Sequence, residues 1–484
     1  MNSNNADVVL MTVPNNMESV VGRGARFVTP MAPHGLMYIA SALRKESISV
    51  TIIDCYALSL GIKDAVEYID HAGAKIVGLS ILTSHAFVAC ELIELLRLKH
   101  PNIKIVLGNQ HADIFANWFL SKGLADAVVH GEGEETFPEL CREYLSGGNV
   151  ENVKGISFVA EDRTIKTTPC RPILEDLDKI PPPAWDLVPH NRYRLSFYTH
   201  PKCTQPGKFK NIFTSRGCPY SCVFCAVRRT KTIRYHSVDR VLDDLQYLSL
   251  KMGAEYVFIM DSIFTMLPDR VSAICDGILG RGLKFLWGCE GRVNFTVKFP
   301  EVLRLMKKAG CVQIAYGIES GSQHILDRIK KNITVEQIES AMAITVESGI
   351  EPIGLFMLGL PGDTPQTMRE TVNLSKKLPL GYAQFAITVP YPGTELYNEL
   401  VTKGSIDPYD WDGYSQYASM VKGKIIYITE GLTAESLYKW QKTALREYYL
   451  RWPPMWRSIK NFRPTMLPEM IDSAIILASG IFGK

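Results

Sequence analysis

Short apolar runs alternate with helically spaced segments over the first 150 residues of this chain, which has 484 residues in all. The apolar, strand-like runs lie at Val8–Val13, Val50–Ile53, Ile76–Leu79, Ile103–Leu107 and Ala127–Val129. Strands that alternate with helices favour a parallel, doubly wound (Rossmann-like) sheet. Such sheets bind ligands at the carboxyl ends of their strands, and the segments that follow these runs are rich in glycine and small polar residues.

The same alternation resumes beyond three consecutive prolines, Pro181–Pro183. Candidate strands lie at Asn211–Ser215, Tyr256–Asp261, Phe285–Cys289, Gln313–Gly317, Gly354–Leu358 and Gln384–Val389. These strand–helix units are enough for a partial or full α/β barrel, whose strand tips form the active face. We therefore predict an α/β chain of four regions: a doubly wound domain at 1–150, a hairpin and proline-rich linker at 151–205, a partial (β/α)6 barrel at 206–405, and a mostly helical C-terminal region at 406–484 that caps the barrel mouth.

Charge and hydropathy narrow the class of protein. The net charge is +3 and no long block of Lys and Arg occurs, which predicts no nucleic-acid partner. Residues Met1–Asp7 are polar and lack the pattern of a secretory signal, and no segment reaches the roughly 18–20 apolar residues of a membrane-spanning helix. We therefore predict a cytoplasmic protein whose 11 cysteines are free thiols or metal ligands rather than disulfides.

Three cysteines follow the first predicted barrel strand, in the stretch TSRGCPYSCVFC that begins at Thr214. Cys218, Cys222 and Cys225 have the spacing Cys-x-x-x-Cys-x-x-Cys. Structural zinc sites usually take four ligands, and no fourth Cys or His stands nearby at a suitable spacing. Three thiolates in one tight loop suit a [4Fe–4S] cluster with one iron left open. We predict such a cluster, with a zinc site or separate buried thiols as the alternative.

This spacing, with the aromatic Phe224 directly before the third cysteine, resembles the radical S-adenosylmethionine (SAM) superfamily. The resemblance implies that the open iron binds SAM, and that reductive cleavage of SAM gives a 5′-deoxyadenosyl radical. It also implies that Phe224 packs near the cluster and the adenine, whereas ordinary core packing is the alternative for this ring.

Later strand tips resemble further motifs of the same superfamily. The tip of the second barrel strand, Asp261 and Ser262, would lie beside the SAM amino group, although many relatives carry two acids there. Arg292, after the third strand, would pair with the SAM carboxylate. Glu319, at the fourth strand tip, would accept hydrogen bonds from both ribose hydroxyls. A surface ion pair or a helix cap is the alternative for Asp261, Arg292 and Glu319.

Residues 8–144 resemble the cobalamin-binding domain that precedes the barrel in one large class of these enzymes, in stretches such as VGLSILTS and HGEGEETF. The Asp-x-His-x-x-Gly motif, which supplies an axial histidine in methionine-synthase-type domains, is replaced by DCYALSLG from Asp54 onward. The class commonly lacks that ligand, so the resemblance still implies cobalamin, bound without a histidine from this loop. The usual double glycine after the fourth strand is altered to Gly108-Asn109. The predicted cobalamin contacts at the strand tips are Asn15, Ser80, Thr83, Gly108, His111, Gly131 and Glu132.

Together these motifs resemble the class B radical SAM methyltransferases. The resemblance implies transfer of a methyl group from methylcobalamin to an unactivated carbon or phosphorus centre by way of a 5′-deoxyadenosyl radical. A cobalamin-dependent radical cyclase or oxidative rearrangement enzyme, and a non-catalytic cobalamin or SAM sensor, are the alternatives. The cofactors carry this chemistry, so the catalytic side chains stay unknown and no general base is predicted. The expected partners are a reducing electron donor such as flavodoxin or ferredoxin and a small-molecule or lipid-like biosynthetic substrate.

Aromatic and basic residues are interleaved near the C-terminus: Trp440, Tyr448, Tyr449, Trp452 and Trp456 with Arg446, Arg451, Arg457 and Lys460. Such a surface suits an anionic or planar substrate, or a peripheral contact with a membrane. An amphipathic helix that packs on the barrel is the alternative.

Overall fold

The structure is a computed structural model that describes residues 5–14, 30–195, 205–229, 232–414, 424–452 and 454–456. The described residues fall into two compact units, which are residues 5–14 with 30–192, and residue 193 onward. None of the helices in these ranges combines the length and the hydropathy that a bilayer span requires.

The described part of the first unit contains one seven-stranded sheet. Its strands are β1 (Val8–Thr12), β2 (Val50–Ile53), β3 (Ile76–Ser80), β4 (Lys104–Gly108), β5 (Ala127–Val129), β6 (Ile156–Val159) and β7 (Ile165–Thr167). The order is β2-β1-β3-β4-β5-β6-β7, with β1 to β5 parallel and β6 and β7 antiparallel. The direction of strand addition reverses between β1 and β3, which is where doubly wound sheets bind their ligands. The predicted doubly wound sheet is therefore confirmed.

Helices cover this sheet and hold it through close packing. They are α1 (His34–Lys45), α2 (Cys55–Leu58), α3 (Ile62–Ala72), α4 (Ala86–Lys99), α5 (Asn109–Ile114), α6 (Ala116–Ser121) and α7 (Gly133–Ser146). Gly78 on β3 makes room for α7, because a Cβ there would lie 2.8 Å from the Phe137 ring and 2.7 Å from Leu10. The apolar residues of these helices recur at helical spacing, so that they lie on one face of the helix and pack against the strands.

The proline-rich segment after β7 packs against α1 of the first unit. Leu177 and Ile180 form an apolar cluster with Tyr38. The Ser41 hydroxyl donates to the Pro182 carbonyl at 2.6 Å. The residues that the sequence assigns to a linker thus contribute to the packing of the first unit.

The second unit contains a parallel six-stranded sheet and a small antiparallel pair. The strands are β8 (Phe209–Ile212), β9 (Ser215–Arg216), β10 (Arg234–Tyr235), β11 (Tyr256–Ile259), β12 (Leu286–Gly291), β13 (Cys311–Glu319), β14 (Glu351–Leu358) and β15 (Tyr382–Ile387). The main sheet runs β15-β14-β13-β12-β11-β8, with β9 and β10 forming the pair. Its two ends, β15 and β8, do not pair with each other, so the prediction of a partial (β/α)6 barrel is confirmed.

The helices of the second unit alternate with its strands along the chain, as a β/α repeat requires. They are α8 (Val238–Gln246), α9 (Pro268–Gly280), α10 (Val293–Lys298), α11 (Pro300–Lys308), α12 (Gln323–Arg328), α13 (Val335–Glu347), α14 (Pro365–Lys377), α15 (Glu395–Thr402) and α16 (Ala434–Tyr449).

The C-terminal helix α16 covers the free edge of β15. The Tyr449 hydroxyl donates to the Ala383 carbonyl at 2.8 Å, and the Gln441 side-chain amide donates to the Phe385 carbonyl at 2.6 Å. These side chains therefore satisfy edge groups that no further strand pairs with. For α16 the structure supports the alternative of an amphipathic helix packed on the barrel, rather than a cap over its mouth. Trp452 and Trp456 stack at 5.7 Å and remain exposed, and Arg457 and Lys460 lie outside the described residues.

Gln441→Leu is expected to destabilise the second unit by about 1–3 kcal/mol, because the buried Phe385 carbonyl loses a hydrogen-bond donor. A lower midpoint of thermal unfolding measures this loss. Lys439→Leu, at an exposed position of the same helix, is the matched control and should leave the midpoint nearly unchanged. Equal midpoints for the two variants would show that the edge contact does not contribute to stability.

Candidate functional site

The cysteine loop (residues 217–225) follows β9 and is anchored at its centre. The backbone N–H of Val223 donates to the Ile329 carbonyl at 3.2 Å, and the Val223 carbonyl accepts from the N–H of Leu396 at 3.0 Å. The Val223 side chain packs with Ile325, Ile329 and Leu360. The loop conformation is thus fixed by backbone bonds and apolar packing that do not involve the thiols.

The three thiols lie close enough for their charges to interact. Cys222 is buried, and Cys218 and Cys225 are half-buried. Burial raises the pKa of Cys218 and of Cys225, the Cys222 thiol raises both further, and the Lys331 ammonium opposes the shift. Among the described residues no three Cys, His, Asp or Glu side chains converge on one metal ion. A cubane cluster does not require this, since each thiolate binds a different iron, and the loop therefore fits the predicted cluster.

Arg292 connects the third strand tip to the cysteine loop. Its guanidinium lies 3.4 Å from the centre of the Tyr220 ring and donates to the Lys331 carbonyl. The side chain is 7% exposed, and its Nε has no hydrogen-bond partner among the described residues. A buried guanidinium with unused donor capacity next to Cys218 suits a carboxylate ligand, as the sequence predicts.

Glu319 ends β13 in a left-handed conformation, with φ of 66°. Its Oε1 accepts from the Lys331 ammonium at 2.6 Å, and both side chains are largely buried. The pair fixes the direction of the carboxylate at the strand tip, where the predicted ribose contact would lie. Phe224 is partly buried against the apolar cluster around Val223, which agrees with the core-packing alternative for this ring.

Asp261 is held by the strand that leads into the cysteine loop. It is fully buried, and its carboxylate accepts from the N–H of Thr214 at 2.6 Å, from the Thr214 hydroxyl at 2.5 Å and from the N–H of Ser215 at 3.1 Å. Arg270 donates to the Thr214 carbonyl at 2.9 Å. Burial raises the pKa of Asp261, and the bonds from Thr214 and Ser215 lower it. These hydrogen bonds give Asp261 a structural role in fixing the strand that leads into the cysteine loop, and its contact with the SAM amino group stays a prediction. Ser262, next to it, is half-buried.

In the first unit, the loops after β3, β4 and β5 carry the predicted cobalamin contacts. Asn109 follows Gly108 with φ of 75°, a conformation that Asn tolerates better than most residues, and its amide donates to the Ser80 hydroxyl at 3.0 Å. Gly131 also has a positive φ, of 72°, and Glu132 precedes α7. Asn15 lies outside the described residues.

His111 and Thr83 are enclosed within the first unit. His111 is 1% exposed, its ring lies 4.7 Å from that of Phe115, and its Nδ1 lies 3.1 Å from the Thr83 hydroxyl. Burial lowers the pKa of His111 to about 3. Both side chains therefore pack within the first unit, and their contact with cobalamin stays a prediction.

Glu290 is a candidate site residue that the sequence analysis missed. It lies on β12, two residues before Arg292, and the structure records no hydrogen bond or ion pair of its carboxyl within the described ranges. Burial raises the pKa of Glu290 to about 7, with the charge of Glu319 as a smaller cause. The sequence feature that could have indicated Glu290 is a single acid in an otherwise apolar strand, between Cys289 and Gly291.

Two family models match the chain in the regions where these sites lie. Residues 212–375 match the radical SAM superfamily, and residues 20–141 match the B12 binding domain. A protein of Pyrococcus horikoshii, named an uncharacterized methyltransferase, is 32% identical over 92% of this chain and 92% of its own length. The chain is a cobalamin-dependent radical SAM enzyme. The cofactors of this class are a [4Fe–4S] cluster, SAM and cobalamin, as the sequence predicts.

Further relatives of this radical SAM enzyme differ in the reaction that their names state. The anaerobic magnesium-protoporphyrin IX monomethyl ester cyclase of Rubrivivax gelatinosus is 26% identical over 82% of this chain and 71% of its own length. The radical SAM methyltransferase TsrM of Kitasatospora setae, solved with cobalamin and a [4Fe–4S] cluster, superposes with a TM-score of 0.67 at 17% identity, covering 95% of this chain and 90% of its own. That superposition supports the two-domain fold.

Proposed function

We propose that this protein is a radical SAM methyltransferase that transfers a methyl group to an unactivated carbon or phosphorus centre of a small-molecule or lipid-like substrate. The cysteine loop carries the proposal, because its three thiols lie beside the buried cations Arg292 and Lys331 in a chain that also has a B12-binding domain. When bound, the cluster supplies the electron that cleaves SAM to a 5′-deoxyadenosyl radical, and cobalamin supplies the methyl group. A flavodoxin or ferredoxin is the proposed source of the electron.

Each proposed contact with the cluster and SAM uses a group that the structure leaves available. Cys218, Cys222 and Cys225 would bind three irons of the cluster. Arg292 has an Nε without a hydrogen-bond partner in the described part of the chain and would pair with the SAM carboxylate. Glu319 receives Lys331 on Oε1 and would accept the ribose hydroxyls on Oε2.

The corresponding proposal for cobalamin rests on the loops at the carboxyl ends of the parallel strands of the first unit. Ser80, Gly108 and Gly131 stand at these loops, together with Asn109, which links the tips of β3 and β4. The residues after Asp54 form the short helix α2. Asp54 is its N-cap, and its carboxylate accepts a hydrogen bond from the N–H of Ala57 at 3.2 Å. This loop therefore offers a short helix in place of an axial histidine.

A cobalt ligand from the protein is not expected in this domain. Cob(II)inamide lacks a nucleotide base, so any nitrogen splitting in its electron paramagnetic resonance (EPR) spectrum must come from the protein. We expect the bound cob(II)inamide to show no such splitting, in the wild type and in His130→Ala alike. His130 is the histidine chosen for substitution. Its Nδ1 lies 2.7 Å from an Asp113 carboxylate oxygen and its Nε2 lies 2.7 Å from the Ser157 hydroxyl, so both ring nitrogens are already hydrogen-bonded. A threefold nitrogen splitting that a single histidine substitution removes would contradict the expectation.

A radical cyclase is the second candidate, favoured by the 26% identity to a named cyclase. The two functions share their cofactors and differ in the fate of the SAM methyl group. The test supplies SAM labelled with ¹³C in the methyl group, a reductant and a metabolite extract to the loaded enzyme. A product that gains the label supports methyl transfer, whereas an unlabelled product formed with 5′-deoxyadenosine supports cyclisation or rearrangement.

A further inference from the structure

Glu290 lies on the face of β12 that is turned away from the covering helices. The preceding residue, Cys289, is fully buried close to Cys311 and to Cys275 of α9, so its side chain is on the face that the helices cover. Successive side chains of a strand point to opposite faces, so Glu290 points to the inner face of the partial barrel. The register places Glu290 opposite Ala315 of β13, a small residue that leaves space beside the carboxyl. Glu290 also keeps part of its surface exposed.

The other acids near this position are held by protein groups. Asp261 accepts three hydrogen bonds from Thr214 and Ser215, and Glu319 pairs with Lys331. Glu290 has neither kind of contact within the described residues, although Glu319, Lys331 and Asp261 are close enough to affect its charge. An acid held in such surroundings without a partner destabilises the fold and is typical of a ligand site.

We propose that Glu290 binds a cationic nitrogen of the ligand that occupies the barrel. A carboxylate in a partly dehydrated site selects a positively charged hydrogen-bond donor. The cation has two sources, which are the amino group of SAM and an amino group of the substrate. The first source follows from the geometry of Asp261, whose carboxylate accepts three hydrogen bonds from the protein. The uncharged Ser262 is then the other predicted neighbour of the SAM amino group, and Glu290 would supply the negative charge. The proposal rests on the proposed function, since it assumes that SAM and substrate bind in the barrel.

The first test compares Glu290→Gln with Glu301→Gln, an exposed glutamate on α11 that serves as the matched control. SAM binding to the cluster-loaded protein is measured by anaerobic equilibrium dialysis. If the cation belongs to SAM, the dissociation constant of Glu290→Gln should rise about tenfold or more, as expected for a lost charge-assisted hydrogen bond. If it belongs to the substrate, SAM affinity should stay at the wild-type value while the labelled product from the extract is lost.

Unchanged SAM affinity together with unchanged product formation in Glu290→Gln would overturn the proposal. A wild-type enzyme that forms no 5′-deoxyadenosine would instead count against the proposed function, so the two failures are distinguishable. Equal cluster content in the two variants shows that any loss is not a loss of folding.

A second readout requires no substrate. Glu290 has a folded-state pKa of about 7, above the usual value of 4.5. The folded protein therefore holds the proton more tightly than the unfolded chain, and stability falls as pH rises between these two values. Without SAM, Glu290→Gln should raise the thermal midpoint of the cluster-loaded protein by several degrees at pH 8 and by much less at pH 5, whereas Glu301→Gln should change neither. A midpoint at pH 8 equal to that of the wild type would show that Glu290 already has a partner in the protein, against the proposal.

Discussion

Cys222→Ala should abolish binding of the iron–sulfur cluster. The wild type, reconstituted without oxygen, is expected to bind about four irons per chain, because three thiolates hold a [4Fe–4S] cluster. Removing one of three protein ligands leaves two irons of the cubane open to solvent and thiol exchange. We therefore expect the variant to retain less than about a tenth of the wild-type iron. Its absorption spectrum should lack the broad sulfur-to-iron charge-transfer band, and its EPR spectrum should lack the signal of the reduced cluster.

The fold should survive this substitution. Val223 anchors the cysteine loop through its backbone bonds to Ile329 and Leu396 and through its apolar side chain, and none of these contacts uses a thiol. Circular dichroism and the thermal midpoint of the cluster-free protein should therefore match those of the cluster-free wild type. Cys170→Ala, at an exposed cysteine outside the loop, is the control and should load a full cluster. A Cys222→Ala protein with full iron content and the wild-type EPR signal would rule out this assignment.

Asp261→Asn should both destabilise the second unit and reduce cluster content. The substitution keeps the side-chain size but replaces the charged carboxylate with a neutral amide, which weakens the hydrogen bonds accepted from the Thr214 and Ser215 N–H groups and reverses the bond with the Thr214 hydroxyl. Loss of hydrogen bonds to a buried charged group costs about 3 kcal/mol. Because Thr214 and Ser215 lead directly into the cysteine loop, we also expect severalfold less iron after reconstitution. Asp269→Asn, at an exposed position on α9, is the control for loss of a negative charge.

This result separates two roles for Asp261. If Asp261 instead contacted the SAM amino group, as the sequence predicts, Asp261→Asn would load a normal cluster, keep the wild-type thermal midpoint and bind SAM weakly. Normal cluster content with weak SAM binding would therefore contradict the role that the structure assigns. The two outcomes are measured on the same preparation by iron analysis, calorimetry and dialysis.

Features that depend only on neighbouring residues in the sequence, such as strand positions and cysteine spacing, can be predicted from the sequence. The strands of the two main sheets follow from apolar periodicity, and the spacing of Cys218, Cys222 and Cys225 predicts them as the cluster ligands. The altered glycine pair after β4 is visible in the sequence, whereas the left-handed conformation of Asn109 is a finding of the structure.

The direction of a polar side chain at a strand tip depends on residues that are distant in sequence. Asp261 stands at a predicted tip, but its partner Thr214 lies 47 positions earlier, so periodicity cannot show that the carboxylate is already used. His111 also follows a strand, yet the rings of Phe115 and Phe119 enclose it. Periodicity does not single out Glu290 for the same reason, because its lack of a partner among the described residues depends on the neighbouring strands.

The role of α16 shows the same limit for a whole helix. Its amphipathic pattern predicts that one face is buried, but the pattern does not name the surface that buries it. The structure places Gln441 and Tyr449 against the open edge of β15. That edge exists because the sheet stops at six strands, which is a property of the complete barrel.

The central claim is that one chain uses both a radical SAM cluster and cobalamin to consume SAM. The most direct test is to reduce the enzyme loaded with cluster and cobalamin, add SAM, and quantify 5′-deoxyadenosine and S-adenosylhomocysteine by mass spectrometry. We predict that both products form in the wild type, and that 5′-deoxyadenosine disappears in Cys222→Ala. A wild-type enzyme with full cluster and corrin content that forms neither product would contradict the claim.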